Sequence, residues 1–266
     1  MRCRTVRRTP IHILNTLALI GLAVGLAGSN SLAQDRVGVS PAQKEQLKAL
    51  AIETRRKTEA QRNELVRART DLLQVYRSYQ LDERKARSAM ERLGRAQLGL
   101  LQVNLDNQIQ IRKILDAEQF RSFRQVVGRK LGAGMIFGRS PEEVAADRMF
   151  DRQLFESAGI GRGQVRRLWA GRVWDQRVRA AAKLRRDTKQ LLDICSSYDL
   201  DEQAAKRLMA SIHSSQTDLA EASHRQQQLI RSVLTPDEFQ RLQAEIERRM
   251  RAKTQPRHLH PRSRRP

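Results

Sequence analysis

Cysteine is nearly missing: Cys3 and Cys195 are the two in the chain. Cys3 falls in the leader segment described below, so one thiol remains and no disulfide framework can be drawn. A lone cysteine is either buried or open to an intermolecular bridge, and burial is the expected state, free cysteine being among the most buried residue types. Aromatic residues make up 4% of the chain, too few for a large globular core. Catalytic signatures are missing as well. There is no phosphate-binding glycine loop, no His-Glu-x-x-His, no Cys-x-x-Cys and no recognisable nucleophile with its base, so neither enzymatic activity nor a cofactor is expected. Histidine is sparse, with five in all. His213 and His224 stand eleven residues apart, about three helical turns, and share a face without being able to hold one metal together. They read as solvated surface side chains. His258 and His260 are a weak candidate pair for a transition metal near the C-terminus.

Charge is abundant. Asp, Glu, Lys and Arg make up 30% of residues, and 51 basic against 29 acidic side chains leave a net charge of +22. Such an excess favours acidic partners: nucleic acid, an anionic envelope surface or acidic proteins. Residues 1–33 narrow the choice. Arg2, Arg4, Arg7 and Arg8 precede the apolar run from Thr16 to Gly28, and Ser31-Leu32-Ala33 supplies small residues at a cleavage site. This has the form of a secretory signal peptide, and the run is short for a spanning helix. Its removal takes four arginines and no acid, lowering the charge to +18. An exported, periplasmic protein rarely meets nucleic acid, so none is expected as a partner.

Four short segments share one local chemistry. Val233-Leu234-Thr235-Pro236-Asp237-Glu238-Phe239 places a Thr N-cap before a Pro at the first helical position, with Glu238 three residues after the cap to bond back to it. Leu234 and Phe239 can close over the helix entry as a hydrophobic staple. Leu115-Asp116 with Gln119 and Phe120, and Val39-Ser40-Pro41 with Gln43, are variants; Ile160-Gly161 with Gln164 is a degenerate fourth. The four form two pairs because the chain is duplicated. At an offset of 119, residues 72–120 match residues 191–239 without gaps, with sixteen of forty-nine positions identical.

Each copy therefore predicts the same helices. A long first helix starts at Ser40. A second starts after Asp82, with an inward seam of Ala86, Met90, Leu93, Gln97, Leu100, Asn104, Asn107, Ile111 and Ile114. The second copy repeats the seam as Ala205, Met209, Ile212, Gln216, Leu219, Ser223, Gln226, Ile230 and Val233. Gln97 and Gln216 read as polar residues that set register. His213 and His224 have Gly94 and Leu105 as counterparts. The fold class is all-α: two tandem, elongated antiparallel helical hairpins with short capping helices. The organisation is signal peptide 1–33, first copy 34–130, a Gly-rich join with an extra helix from Pro141 to about Ser157 in 131–158, second copy 159–250, and a basic, disordered tail 251–266.

A Leu-Thr-x-x-Gln pattern on either side of a helical hairpin in an exported basic protein resembles the Spy/CpxP periplasmic family, the LTxxQ proteins, which include zinc-resistance and heavy-metal-sensor relatives. The matching positions are Ser40 and Gln43; Leu115, Asp116 and Gln119; Ile160 and Gln164; and Leu234, Thr235 and Glu238. The resemblance implies a cradle-shaped helical fold that in the family forms antiparallel dimers and holds unfolded clients without ATP. It implies a stress-response chaperone for unfolded or acidic proteins, here a pseudo-dimer within one chain or a homodimer. A periplasmic metal sensor or buffer and a structural protein on anionic envelope surfaces are the alternatives.

Overall fold

The computed structural model describes residues 38–131, 153–169 and 173–254. The signal segment, most of the join and the tail with His258 and His260 lie outside them. The helices are α1 (Pro41–Arg77), α2 (Glu83–Ile114), α3 (Ala117–Leu131), α4 (Arg162–Trp169), α5 (Val173–Ile194), α6 (Glu202–Val233) and α7 (Pro236–Thr254). Residues 153–157 are also helical. No strand occurs among the described residues. No helix among them is long and apolar enough to cross a membrane.

The helix entries follow the caps. Ser40 accepts the Gln43 amide at 3.2 Å while Gln43 Oε1 accepts the Ser40 amide at 2.8 Å, closing a capping box. Asp82 and Asp201 cap the second helix of each copy through the Lys85 amide at 3.0 Å and the Ala204 amide at 2.8 Å. At the degenerate box, Gly161 has no side chain to accept a bond. Half of the device survives as Gly161 N–H donating to Gln164 Oε1 at 3.1 Å.

α1 and α2 form the first antiparallel hairpin, and α5 and α6 the second. The first is held by Ala68, Leu72 and Tyr76 against Ala86, Ala89 and Leu93, with Ala68 and Ala86 fully enclosed. Small residues there let the two helix backbones approach. In the second, Leu184 packs on Ala205, Met209 and Ile212. The expected seams are buried or half-buried throughout. Beside them runs a second buried stripe: Ala89, Ala96, Leu101, Leu105 and Gln108 on α2, and Ser215, Ala222, His224 and Gln227 on α6. Of it, Leu101, Leu105 and His224 face the other hairpin, while Ala89 packs on α1 and Ser215 bonds Lys183 of α5. Leu101 and Leu105 join the cluster of Leu184, Ala205, Met209 and Ile212. Gly94 lies against His213, and Glu83 bonds Gln228, so α2 and α6 cross in antiparallel sense and the two copies pack into one body.

Two expectations change. α7 continues to Thr254, so the helix extends into what reads as tail from residue 251. Leu154, Phe155 and Ala158, which the sequence places in the join, are buried in a cluster with Ile160, Val165, Ile230, Leu234 and Phe239. They complete the core of the second copy. Of the extra helix expected from Pro141, only residues 153–157 fall among the described residues, and they are helical.

Candidate functional site

The four boxes do more than start helices, because within each copy the first box bonds the second. Gln43 Nε2 donates to Gln119 Oε1 at 2.9 Å and to the Ile114 carbonyl at 2.8 Å, while Gln119 Nε2 donates to the Gly38 carbonyl at 3.0 Å. In the second copy Gln164 Nε2 donates to both Glu238 oxygens, at 3.0 and 2.8 Å. Glu238 also accepts the Thr235 amide at 2.9 Å, and these bonds, the backbone one foremost, hold its carboxyl below the usual range. Gly38 and Gly159 precede the paired boxes at φ of 66° and 72°, a left-handed conformation that glycine adopts without strain.

A second junction joins the copies to each other, and it occurs twice. Arg231 donates to the Tyr76 and Ser78 carbonyls at 2.8 and 2.7 Å and stacks 4.7 Å from the centre of the Phe239 ring. Its counterpart Arg112 donates to the Cys195 and Ser197 carbonyls at 2.9 and 2.5 Å and stacks 4.4 Å from Phe120. Each arginine thus crosses to the other copy and caps the C-terminal end of its first hairpin helix, where unpaired carbonyls and the helix dipole favour a cation. Tyrosines return the contact. Tyr79 O–H donates to the Leu234 carbonyl at 3.0 Å and Tyr198 O–H to the Leu115 carbonyl at 3.2 Å, with their rings edge-on to Phe239 and Phe120. This reciprocity is that of an isologous interface. Burial is the first cause of a lowered pKa at both arginines, though both stay cationic.

Close to the Arg231 junction, His224 is 5% exposed rather than solvated. Its Nδ1 lies 3.0 Å from the Tyr76 hydroxyl and its Nε2 2.7 Å from Glu83 Oε2, and Gln228 Nε2 donates to Glu83 Oε1 at 2.8 Å. Burial raises the Tyr76 pKa, while the Gln228 bond leads the causes that lower that of Glu83. At the equivalent place in the other junction stand Leu105 and Cys195, both buried. Burial also pushes the Cys195 thiol up, which leaves it a poor nucleophile. His213 is half-buried against Gly94. No three His, Cys, Asp or Glu side chains among the described residues converge as a metal site.

The free face of α1 carries the most exposed large apolar side chains described: Ile52 at 64%, Val66 at 59% and Leu73 at 42%. Their spacings of fourteen and seven residues keep them on one side of the helix, about 31 Å from end to end. Arginines stand three or four positions from each: Arg55 and Arg56 by Ile52, Arg62 and Arg69 by Val66, Arg69 and Arg77 by Leu73. Glu59, between Ile52 and Val66, is paired with Arg55 at 2.8 Å. No known protein family, curated protein or solved structure matches the chain.

Sequence reasoning located the box residues and assigned them to helix starts; the structure adds that they pair across each copy. It missed Arg112 and Arg231. The available signal was their identity in both copies, where other charges drift: Arg92 corresponds to Ser211 and Glu64 to Lys183.

Proposed function

We propose that this protein is an exported, periplasmic holder of unfolded or acidic client proteins that works without ATP and without catalysis. The observation that carries the reading is the α1 face, where Ile52, Val66 and Leu73 stand exposed among arginines. An apolar stripe in a basic surround fits weak capture of unfolded segments: long-range attraction brings in acidic chains, and the apolar side chains hold them. The reciprocal junctions support a second part of the proposal, that the duplication supplies as one chain the two-sided body that the resembling family assembles from two.

The test is suppression of aggregation of a denatured acidic client by the mature protein at low and high salt. Protection is expected at low salt and is expected to weaken as the screening length falls from about 10 Å at 0.1 M to about 3 Å at 1 M. Replacing Ile52, Val66 and Leu73 together by Ser should remove most of it while helicity is kept. No protection at low salt rejects the proposal. Tight binding to anionic lipid vesicles without client protection would instead favour the structural role on envelope surfaces, which the charge of +18 left after the signal segment also fits.

A further inference from the structure

The α2–α6 crossing is symmetric in backbone and unequal in packing. On one side of the Gly94–His213 contact, Leu101 and Leu105 fill the space against Met209 and Ile212. On the other side the equivalent positions are Ala220 and His224, facing Met90 and Leu93, and there the helices leave a cleft of about 610 Å³. Leu101 on the filled side corresponds to Ala220 on the open side, and the smaller side chain leaves room there. The cleft's volume lies within the roughly 300–1,000 Å³ of small-molecule sites.

The cleft has polar groups that the fold does not use. Gln97 and Gln216, equivalent residues of the two copies and each 6% exposed, line it from opposite helices. Gln216 Oε1 and His213 Nδ1 are buried and have no hydrogen-bond partner among the described residues. Arg87, Arg95 and Arg225 stand exposed on the rim, with Glu91 and Glu221. Arg225 is paired with Glu221 at 3.7 Å. Met90, Leu93 and Ala220 give the wall an apolar patch.

We propose that this cleft binds a small hydroxylated organic anion, of the class of a sugar phosphate or a sugar acid. Its hydroxyls exchange hydrogen bonds with the Gln97 and Gln216 carboxamides that line the cleft from the two helices. Its anionic group meets the rim arginines, and its carbon skeleton lies on Met90 and Leu93. The proposal is independent of client holding, since the cleft lies at the α2–α6 crossing and not on the free face of α1.

Calorimetric titration of the mature protein with glucose 6-phosphate and with glucuronate tests it, the two probes separating phosphate from carboxylate. Saturable binding of at least one is expected, at least tenfold tighter than that of glucose or of inorganic phosphate alone. Ala220→Leu, which places in this quarter the leucine that its counterpart already carries, should keep helicity and melting temperature and weaken binding at least tenfold. Gln216→Leu should do the same by removing a carboxamide that lines the cleft, so a folding defect in either variant leaves the other to decide. The proposal is overturned by no saturable binding of either probe, by inorganic phosphate binding as tightly, or by unchanged binding in the folded variants.

Discussion

Arg231 donates to the carbonyls of Tyr76 and Ser78 in the other copy and to Gln227 in its own, with a phenyl ring beneath it. Methionine would keep most of the volume and none of the bonds. Orphaned carbonyls and a lost cation–π contact set the expected loss for Arg231→Met at about 2–4 kcal/mol, read from urea unfolding. Arg231→Lys should recover part of it, because an ammonium keeps the charge but not the planar fork. Arg112→Met should behave alike, and a loss below about 0.5 kcal/mol at both sites would contradict the capping role. Glu245 gives a pH-dependent counterpart. Arg248 and Arg249, each bonded at 2.6 Å, hold its carboxyl down to about 2. A depressed carboxyl pKa contributes stability that is present above the unfolded value of about 4.3 and is lost as pH falls through the folded value. Melting temperature should therefore fall more steeply between about pH 4 and pH 2 in the parent than in Glu245→Gln. These residues were opaque in the sequence because a chain with 51 basic side chains offers no local mark for the few that are partly enclosed.

At the scale of elements, the caps were legible because their bonds span three residues: Ser40 with Gln43, Asp116 with Gln119, Thr235 with Glu238. The bond from Gln43 to Gln119 spans 76 residues, and no spacing rule reaches that far. Gln43→Leu removes a cap and this cross-link together and should cost about 1–3 kcal/mol in denaturant unfolding. Gln119→Glu, which copies the second copy's Glu238, should be close to neutral at pH 7 and should lose stability in acid, as a bonded carboxylate does. The seams were legible from their steps of three and four. The adjoining Leu101 and Leu105 were not, because they widen the buried face beyond what α1 needs, and their partners Leu184, Met209 and Ile212 lie in the second hairpin.

For the whole molecule, the repeat revealed two hairpins, and the all-α, two-hairpin reading stands. How they sit together depended on long-range contacts: Tyr79 on Phe239, Tyr198 on Phe120, and α2 against α6. These contacts predict that residues 34–131 and 153–254, expressed as separate chains, will associate when mixed, giving a one-to-one complex in sedimentation. Arg112→Met with Arg231→Met should weaken that complex by at least tenfold. Separate, non-associating halves would show that the join, and not the junctions, keeps the copies together. Solution scattering of the intact chain should likewise fit one compact pair of hairpins and not two freely moving bodies.

The meeting of Gly94 with His213 has a further consequence. In a homodimer, a residue on the two-fold axis faces its own duplicate, so any change there is made twice and must suit itself. Joining the copies in one chain lifts that rule. A histidine can sit over a glycine that leaves room for its ring, and a leucine on one side can become an alanine on the other without its twin following. Duplication with fusion lets the two sides of this contact differ, one filled by leucines and the other left open.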